Sequence, residues 1–523
     1  MYQNYTTSGQ LVLPMDIEIL IPEQHLCRIV DMAVEKMNPS LLASLHKGGG
    51  RPPYHPKMML KVILYAYCNR IYSSRQISKQ LNENIYFMWL SGSQHPDFRT
   101  INRFRSQRMK DMIYQTFFGI VDLLCREGLV KLEDYYFDGT KIEANANRYT
   151  FVWRKATEKY DKKLDEKYQQ IVHSIESIIE EDGKTETEWD FQDKLEASPV
   201  TSEKIEETMK IVEKRLEQEP KNRTLKKAKR QLEKDLLPRK KKYEDQKKTF
   251  GDRNSYSKTD KDATFMRMKD DHMKNGQLKP GYNVQIGTEG QFITGFSLHQ
   301  RAGDPGCLIP HLELLKKYNR PKPKALISDS GYGSEENYVY CEKEQIEAYV
   351  KYNTFDKEQT KAWKNQIGRL ENMEYDEELD EWICANQKRL IFSYERKRKS
   401  ENGYESIKRT YICTECHGCP FQTSCAKEKE AKSISVSIEN QIQRKEVKER
   451  LSSEEGSQKY RQRKIDVEPV FGQIKHNNHF QRFSLRGLSK NTVEWGLICV
   501  SHNLKKWETA TRKAQENRIK YKK

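Results

Sequence analysis

The sequence is first narrowed by what it lacks. It holds no run of about 18 apolar residues, so no segment reads as a membrane-spanning helix. The stretch Met1–Pro14 has no basic segment followed by an apolar one, which predicts a protein without a secretory leader. Cysteine is sparse, 11 in 523 residues. Without a secretory context these cysteines do not suggest a disulfide framework, and a chain this long buries a core without one. Seven of the 11 are scattered singly and read as small core residues. Acid is in deficit: 76 Asp and Glu face 93 Lys and Arg, a net charge of +17. The hydrophobic fraction is only 36% and the mean hydropathy −0.93, which predicts long solvated helices beside the cores. Aromatics are not scarce: 28 Tyr, 18 Phe and 7 Trp exclude wholesale disorder. At about 150 residues per domain, the length predicts three or four domains.

The positive charge points to a polyanion, and in so long a chain to nucleic acid; a basic but otherwise ordinary cytosolic protein has the same balance. Residues 1–125 read as helical. Met58–Tyr72 is a strongly apolar helix, Ser73 or Ser74 caps the next, and Asp97 caps a helix from Phe98 to about Met112. In that last helix Ile101 and Phe104 face one way, while Arg99, Arg103, Arg105 and Arg108 spread over the rest. A helix, a turn and an arginine-rich helix is the layout of a helix-turn-helix, whose second helix enters the major groove. The same pattern is that of a solvated basic face.

Further along, Tyr135–Asp138 reads as a short buried strand ended by Gly139. Residues 153–250 change character. Tyr160, Leu164, Tyr168, Ile171, Ile175 and Ile178 recur at steps of three and four. So do Ile205, Met209, Val212 and Leu216, and again Leu225, Ala228, Leu232 and Leu236. Narrow apolar seams on charged helices predict a helical hairpin or coiled-coil-like insertion, broken at Asp182-Gly183 and Pro220. The period then switches. Tyr282–Gly287 and Phe292–Leu298 flank Thr288-Glu289-Gly290-Gln291 as a hairpin. Leu308–Tyr318 is a helix, Lys324–Ser328 a buried strand stopping at Asp329, and Ile346–Tyr352 another strand. A polar segment, 355–432, carries a cysteine cluster. Glu446–Ile474 and Thr492–Trp507 are helical, and the tail from Lys505, eight Lys/Arg against two Glu, is expected to fray or lie on DNA.

This order suits a mixed α/β or α+β domain. Asp138 and Asp329 each end a strand, the position where open α/β sheets place ligands. Glu468 lies on a late helix. Three converging carboxylates are hard oxygen ligands that can bind two Mg²⁺ ions for in-line phosphoryl transfer. With 76 acids available, surface or capping roles explain any three equally well. Asp260, Asp262 and Asp304 read as turn or cap residues, or as acids supporting such a site.

Six segments alter that balance. They are Arg51-Pro52-Pro53-Tyr54-His55-Pro56, Pro96-Asp97-Phe98-Arg99-Thr100-Ile101-Asn102-Arg103-Phe104-Arg105 and Phe137-Asp138-Gly139-Thr140-Lys141-Ile142-Glu143-Ala144-Asn145-Ala146, then Pro280-Gly281-Tyr282-Asn283-Val284-Gln285, Ser328-Asp329-Ser330-Gly331-Tyr332-Gly333 and Val467-Glu468-Pro469-Val470-Phe471-Gly472-Gln473-Ile474-Lys475. In this order the sequence resembles DDE-class insertion-sequence transposases, the insertion sequence 1182 group in particular, from the N-terminus to about residue 505.

The resemblance implies an RNase H-like catalytic domain and metal-dependent cleavage and transfer of DNA strands, cut-and-paste in type. It implies Asp138, Asp329 and Glu468 as the catalytic, metal-binding triad, holding two Mg²⁺ or Mn²⁺ ions. Related families also carry a tyrosine, an arginine and a lysine around the glutamate. Lys475 matches the lysine. The arginine position is Lys464 with Arg463 beside it, and the tyrosine position is Arg461 with Tyr460 beside it. Tyr460, Arg463, Lys464 and Lys475 therefore join Arg99, Arg103, Arg105 and Arg108 as expected DNA contacts. Tyr332 reads as packing near the metals or as an ordinary core tyrosine.

The cluster Cys413-x2-Cys416-x2-Cys419-x5-Cys425 has spacings that suit a structural Zn²⁺, with His417 and Cys384 as spare ligands. Its first three cysteines also fit an iron–sulfur run, and all four also fit free thiols. The expected division is 1–125 for DNA binding, 126–152 and 251–354 for the first parts of the catalytic core and 153–250 for the helical insertion. Residues 355–432 form the Cys-rich insertion, 433–507 the last part of the core and 508–523 a basic tail. The expected partners are duplex DNA, at element ends and target, and further copies of the chain in a synaptic complex, with no membrane and no small-molecule substrate. The expected place is the cytoplasm, at the nucleoid. The alternative is an inactive, domesticated DNA-binding derivative; three intact carboxylates favour activity.

Overall fold

The computed structural model describes residues 16–38, 54–181, 199–268, 276–400, 402–426 and 430–522. Arg51-Pro52-Pro53 and Asp182-Gly183 lie outside the described residues. The chain divides into two units, Met1–Ala144 with Tyr282–Lys523, and Asn145–Gly281.

The first unit opens on helices: α1 (Leu26–Glu35), α2 (Pro56–Cys68), α3 (Ser74–Glu83), α4 (Ile85–Ser91), α5 (Phe98–Gln107) and α6 (Ile113–Arg126). Pro56 begins α2 where a missing N–H costs nothing, and the His55 ring accepts from the Lys57 amide at 3.2 Å. Most of α2 is buried, as its unbroken apolar run requires. Gly92, at φ +56°, ends α4 in the left-handed region. Asp97 caps α5 by accepting from the Thr100 amide at 2.6 Å. That helix stops at Gln107, five residues short of Met112, and tightens into a turn at Arg108–Asp111.

β1 (Asp134–Glu143) is longer than its sequence suggests. It does not end at Gly139, so Asp138 lies within the strand. Gly139 lets the backbone pass close to the Gln285 side chain, which a Cβ would strike.

The second unit is described by itself. β2 (Phe151–Trp153) leads into α7 (Arg154–Glu181), α8 (Ser202–Gln218), α9 (Arg223–Gln231) and α10 (Leu237–Phe250), and β3 (Ser255–Ser257) pairs antiparallel with β2. The apolar seams meet in one core. Leu164, Tyr168, Ile171 and Ile175 bury against Ile205, Val212, Leu225, Ala228, Leu232 and Leu236. Tyr160 departs from its seam and is exposed. Buried Lys240 is compensated by Asp161 and Asp165, at 2.9 and 2.6 Å. Asp260 accepts from the Asp262 amide at 3.2 Å, which is a turn contact. β4 (Thr264–Arg267) pairs with the first residues of β5 (Leu278–Glu289).

In the first unit β5 and β6 (Phe292–His299) form the expected hairpin, turned by Gly290 and Gln291, both at positive φ. Then come α11 (Leu308–Lys317), β7 (Ala325–Ser328), α12 (Glu335–Lys343) and β8 (Glu347–Val350). The strands run in the order β6–β5–β1–β7–β8, with β1, β7 and β8 parallel. Parallel strands without a side exposed are apolar runs, as Ala325-Leu326-Ile327 is.

The polar segment contains a second, antiparallel sheet that the sequence conceals. β9 (Glu374–Asp376), β10 (Glu381–Ile383), β11 (Arg389–Lys399), β12 (Glu405–Cys413) and β13 (Ser433–Val436) lie in the order β13–β12–β11–β10–β9. The chain closes with α13 (Ile438–Ser452), α14 (Glu454–Asp466), α15 (Glu468–Gly472) and α16 (Leu488–Lys522). The tail after Lys505 continues α16 through Lys522 rather than fraying. The whole is a mixed α+β architecture. Among the described residues no helix is long and apolar enough to cross a membrane.

Candidate functional site

Phe137 pairs with Ser328 in the parallel β1–β7 ladder. The next residues, Asp138 and Asp329, therefore sit side by side, one strand spacing of about 4.8 Å apart in backbone. Each carboxylate is oriented locally. Asp138 Oδ1 accepts from the Gly139 amide at 2.7 Å, and Asp329 Oδ1 from the Gly331 amide at 2.8 Å.

Glu468 reaches the same place from α15. Pro469 cannot donate to the Ile465 carbonyl, so the helix breaks after Asp466. The Gln291 side chain donates to that carbonyl instead, at 2.8 Å. Buried Asp466 fixes the end of α14 to the β5–β6 hairpin by accepting from Thr288 Oγ1 at 2.6 Å and the Gln291 amide at 3.1 Å. Lys459 secures the middle of α14 through an ion pair with Asp134 at 2.8 Å.

Arg463 joins the parts. Its guanidinium lies 3.5 Å from Asp138 Oδ2 and donates to Glu468 Oε1 at 3.1 Å. Two carboxylates 330 positions apart thus share one cation. Arg463 was expected to grip DNA; its side chain is buried and turned to the acids instead. The ring of half-buried Tyr460 lies between cations, with Lys351 Nζ 4.3 Å and Arg463 Cζ 5.7 Å from its centroid. Burial raises the Tyr460 hydroxyl's pKa, against the Arg463 charge. Lys464 is exposed, and Lys475 is buried on the turn Gln473–Asn477.

Beneath the acids runs a buried polar chain. Tyr332 donates to Gln285 Oε1 at 2.5 Å, Gln285 to Asn283 Oδ1 at 2.8 Å, and Asn283 to Asp304 Oδ1 at 2.7 Å. Burial first, then Asp138, Asp304 and Asp329, push the Tyr332 hydroxyl well above its ordinary range, so it stays a donor. Asp304 is thus tied to the site, beyond a simple turn role. Asn283 and Gln285 were not singled out from the sequence. Their signal was present: two amides on one face of an otherwise apolar strand.

The donor set Asp138, Asp329 and Glu468 is all carboxylate, the chemistry Mg²⁺ and Mn²⁺ favour, and a cation already bridges two of its members. As they stand, no three acid, histidine or cysteine side chains among the described residues converge on one metal position. This holds for the cysteine cluster too. Even so, Cys384, Cys413, Cys416, Cys419 and Cys425 line one cavity of about 20 Å³. Burial raises the thiols of Cys413, to about 11, and of Cys425. His417 does not line that cavity.

The expected DNA-contacting arginines separate. Arg99, Arg103 and Arg108 are exposed. Arg75, Arg99 and Arg103 line an open cleft of about 590 Å³ that also touches Ser484. Arg105 is buried and donates to Tyr67 Oη at 3.0 Å and the Tyr72 carbonyl at 2.6 Å. Its position on α5 faces α2, so it is largely buried, although it borders the same cleft.

Residues 383–507 match the family described as "Transposase DDE domain", and residues 15–107 match "Transposase domain (DUF772)". The first match contains Glu468 and the second contains Arg99 and Arg103. No curated protein and no solved structure matches the chain.

Proposed function

We propose, from the matches of residues 383–507 and 15–107 to transposase domain families, that the chain cuts and rejoins DNA at the ends of its own element through Asp138, Asp329 and Glu468. The observation that carries this reading is the Arg463 bridge between Asp138 and Glu468, beside Asp329 on the neighbouring parallel strand. The strand order β6–β5–β1–β7–β8 supports an RNase H-like core.

Two Mg²⁺ or Mn²⁺ ions, when bound, supply an activated water or 3′-hydroxyl and stabilise the leaving oxygen. The chain's own residues do the rest. Asp138, Asp329 and Glu468 hold the ions. Arg463 balances the charges of Asp138 and Glu468. Tyr332 and Gln285 set the strand-end geometry from below. Arg99, Arg103 and Arg108 contact phosphates and base edges of the ends, and Tyr460 and Lys464 contact the strand near the glutamate. Copies of the chain pair the two ends in a synaptic complex, in the cytoplasm at the nucleoid. The clustered cysteines, Cys384 among them, would hold one structural Zn²⁺.

The test is to incubate purified protein with duplex DNA carrying the sequences that flank this gene, with and without Mg²⁺, and to map strand breaks. Metal-dependent breaks at the ends support the reading. Binding without breaks under Mg²⁺ or Mn²⁺ overturns it in favour of an inactive DNA-binding derivative.

A further inference from the structure

β11 and β12 form a ribbon that leaves the second sheet. β12 pairs with β13 only from Arg409 to Ile412, and β11 pairs with β10 only at Arg389 and Leu390. Beyond those points, from Glu395 to Lys399 and from Glu405 to Lys408, the ribbon has two strands and no neighbour. It is held at its far end as well. Tyr404 Oη donates to Glu335 Oε1 at 2.9 Å, and Arg301 donates to the Asn402 side chain. Glu335 begins α12, six residues after Asp329. The ribbon is thus fixed beside the loop that carries a triad residue.

Its two faces differ in charge. The register pairs Glu395 with Arg409, Arg396 with Lys408, Lys397 with Ile407, Arg398 with Ser406 and Lys399 with Glu405. Successive pairs point to opposite faces. One face carries Glu395, Arg409, Lys397, Ile407, Lys399 and Glu405, and acids offset two of its three cations: Arg409 meets Glu395 at 4.0 Å and Lys399 meets Glu405 at 3.8 Å. The other face carries Arg396, Lys408 and Arg398, with exposed Tyr394 one pair further in. No acid lies in those pairs. Arg396, Arg398 and Lys408 are exposed and make no ion pair among the described residues. Arg396 and Lys408 are direct cross-strand partners, and like charges so placed destabilise a ribbon. Such a face calls for an external anion.

We propose that the Arg396–Lys408–Arg398 face is a duplex-DNA contact surface of the catalytic unit. This rests on the reading that DNA is the chain's partner. A two-stranded ribbon has the width to enter a major groove, three cations on one side suit phosphates, and Tyr394 adds an apolar ring with a polar tip at the base of the strip.

The test measures binding of full-length protein to a fluorescent duplex carrying the element ends, across a salt series. The substitutions Arg396→Ala, Arg398→Ala and Lys408→Ala are combined in one variant, and Lys397→Ala with Lys399→Ala serves as the opposite-face control. Unchanged circular dichroism and melting establish that the variants fold. The slope of log affinity against log salt is expected to become shallower by about 2.7 in the triple variant, at about 0.9 per lost phosphate contact. Its affinity is expected to fall at least about tenfold, with the control staying within about one slope unit of wild type. A triple variant with wild-type affinity and slope overturns the proposal and leaves the face to an acidic protein, while the transposase reading stands. A wild-type protein that binds no duplex overturns both.

Discussion

At the residue scale the decisive group is Arg463. A guanidinium keeps its charge at every accessible pH and presents a fork that two carboxylates can share. It holds Asp138 and Glu468 together while no ion is bound. Replacing it removes the cation that both carboxylates share, and like charges at short range repel. Arg463→Ala is therefore expected to lower the melting temperature in chelator and to be rescued by Mg²⁺ more strongly than wild type. Differential scanning fluorimetry with and without Mg²⁺ checks this; equal Mg²⁺ shifts in the two proteins would contradict it. The three acids of the proposed triad sit inside segments that the sequence makes recognisable. The sequence did not carry the meeting of Arg463 with Glu468, which depends on the helix break after Asp466 that Pro469 imposes. Nor did it reveal that Arg105 turns inward among arginines that face solvent.

At the element scale the hairpin, the β7 strand and the seamed helices were legible because each has one clean periodicity. The second sheet was not. Nearly all of β11 is exposed, so no apolar alternation marks it. β1 runs on through Gly139, which looks like a terminator but serves a close approach to Gln285. The root of the second sheet also sets the cysteine chemistry. Leu390 pairs with Cys413, which brings the Cys384 turn against the Cys413–Cys425 loop. The purified chain is expected to carry about one Zn²⁺, and Cys384→Ser to lose most of it. Elemental analysis after gel filtration reads this directly. A metal-free wild type, or a Cys384→Ser variant with full zinc, would contradict it.

At the scale of the whole molecule, stability is expected to depend on pH through histidines buried in neutral form. Burial lowers His299 and His502 to about 4 and drives His311 well below its ordinary value. The unfolded chain takes up these protons below about pH 6.5, and the folded chain does not until about pH 4. The unfolded state thus binds more protons in that window. The contribution is fully present above about pH 6.5 and is lost progressively as pH falls toward 4. The melting temperature should fall from about pH 7 to about pH 5. His502→Gln, which keeps a donor for the Gln291 carbonyl, should flatten the fall. A pH-independent melt, or an unaltered slope in that variant, would contradict this.

The account's central claim is that Asp138, Asp329 and Glu468 work as one metal site. The most direct measurement is end cleavage by Asp138→Asn, Asp329→Asn and Glu468→Gln, each with its DNA affinity measured on the same duplex. Each variant is expected to lose at least about a hundredfold in metal-dependent cleavage, since even outer partners of metal ligands are worth 10–100-fold, while binding the ends as wild type does. Cleavage that survives any one of the three substitutions would contradict the claim.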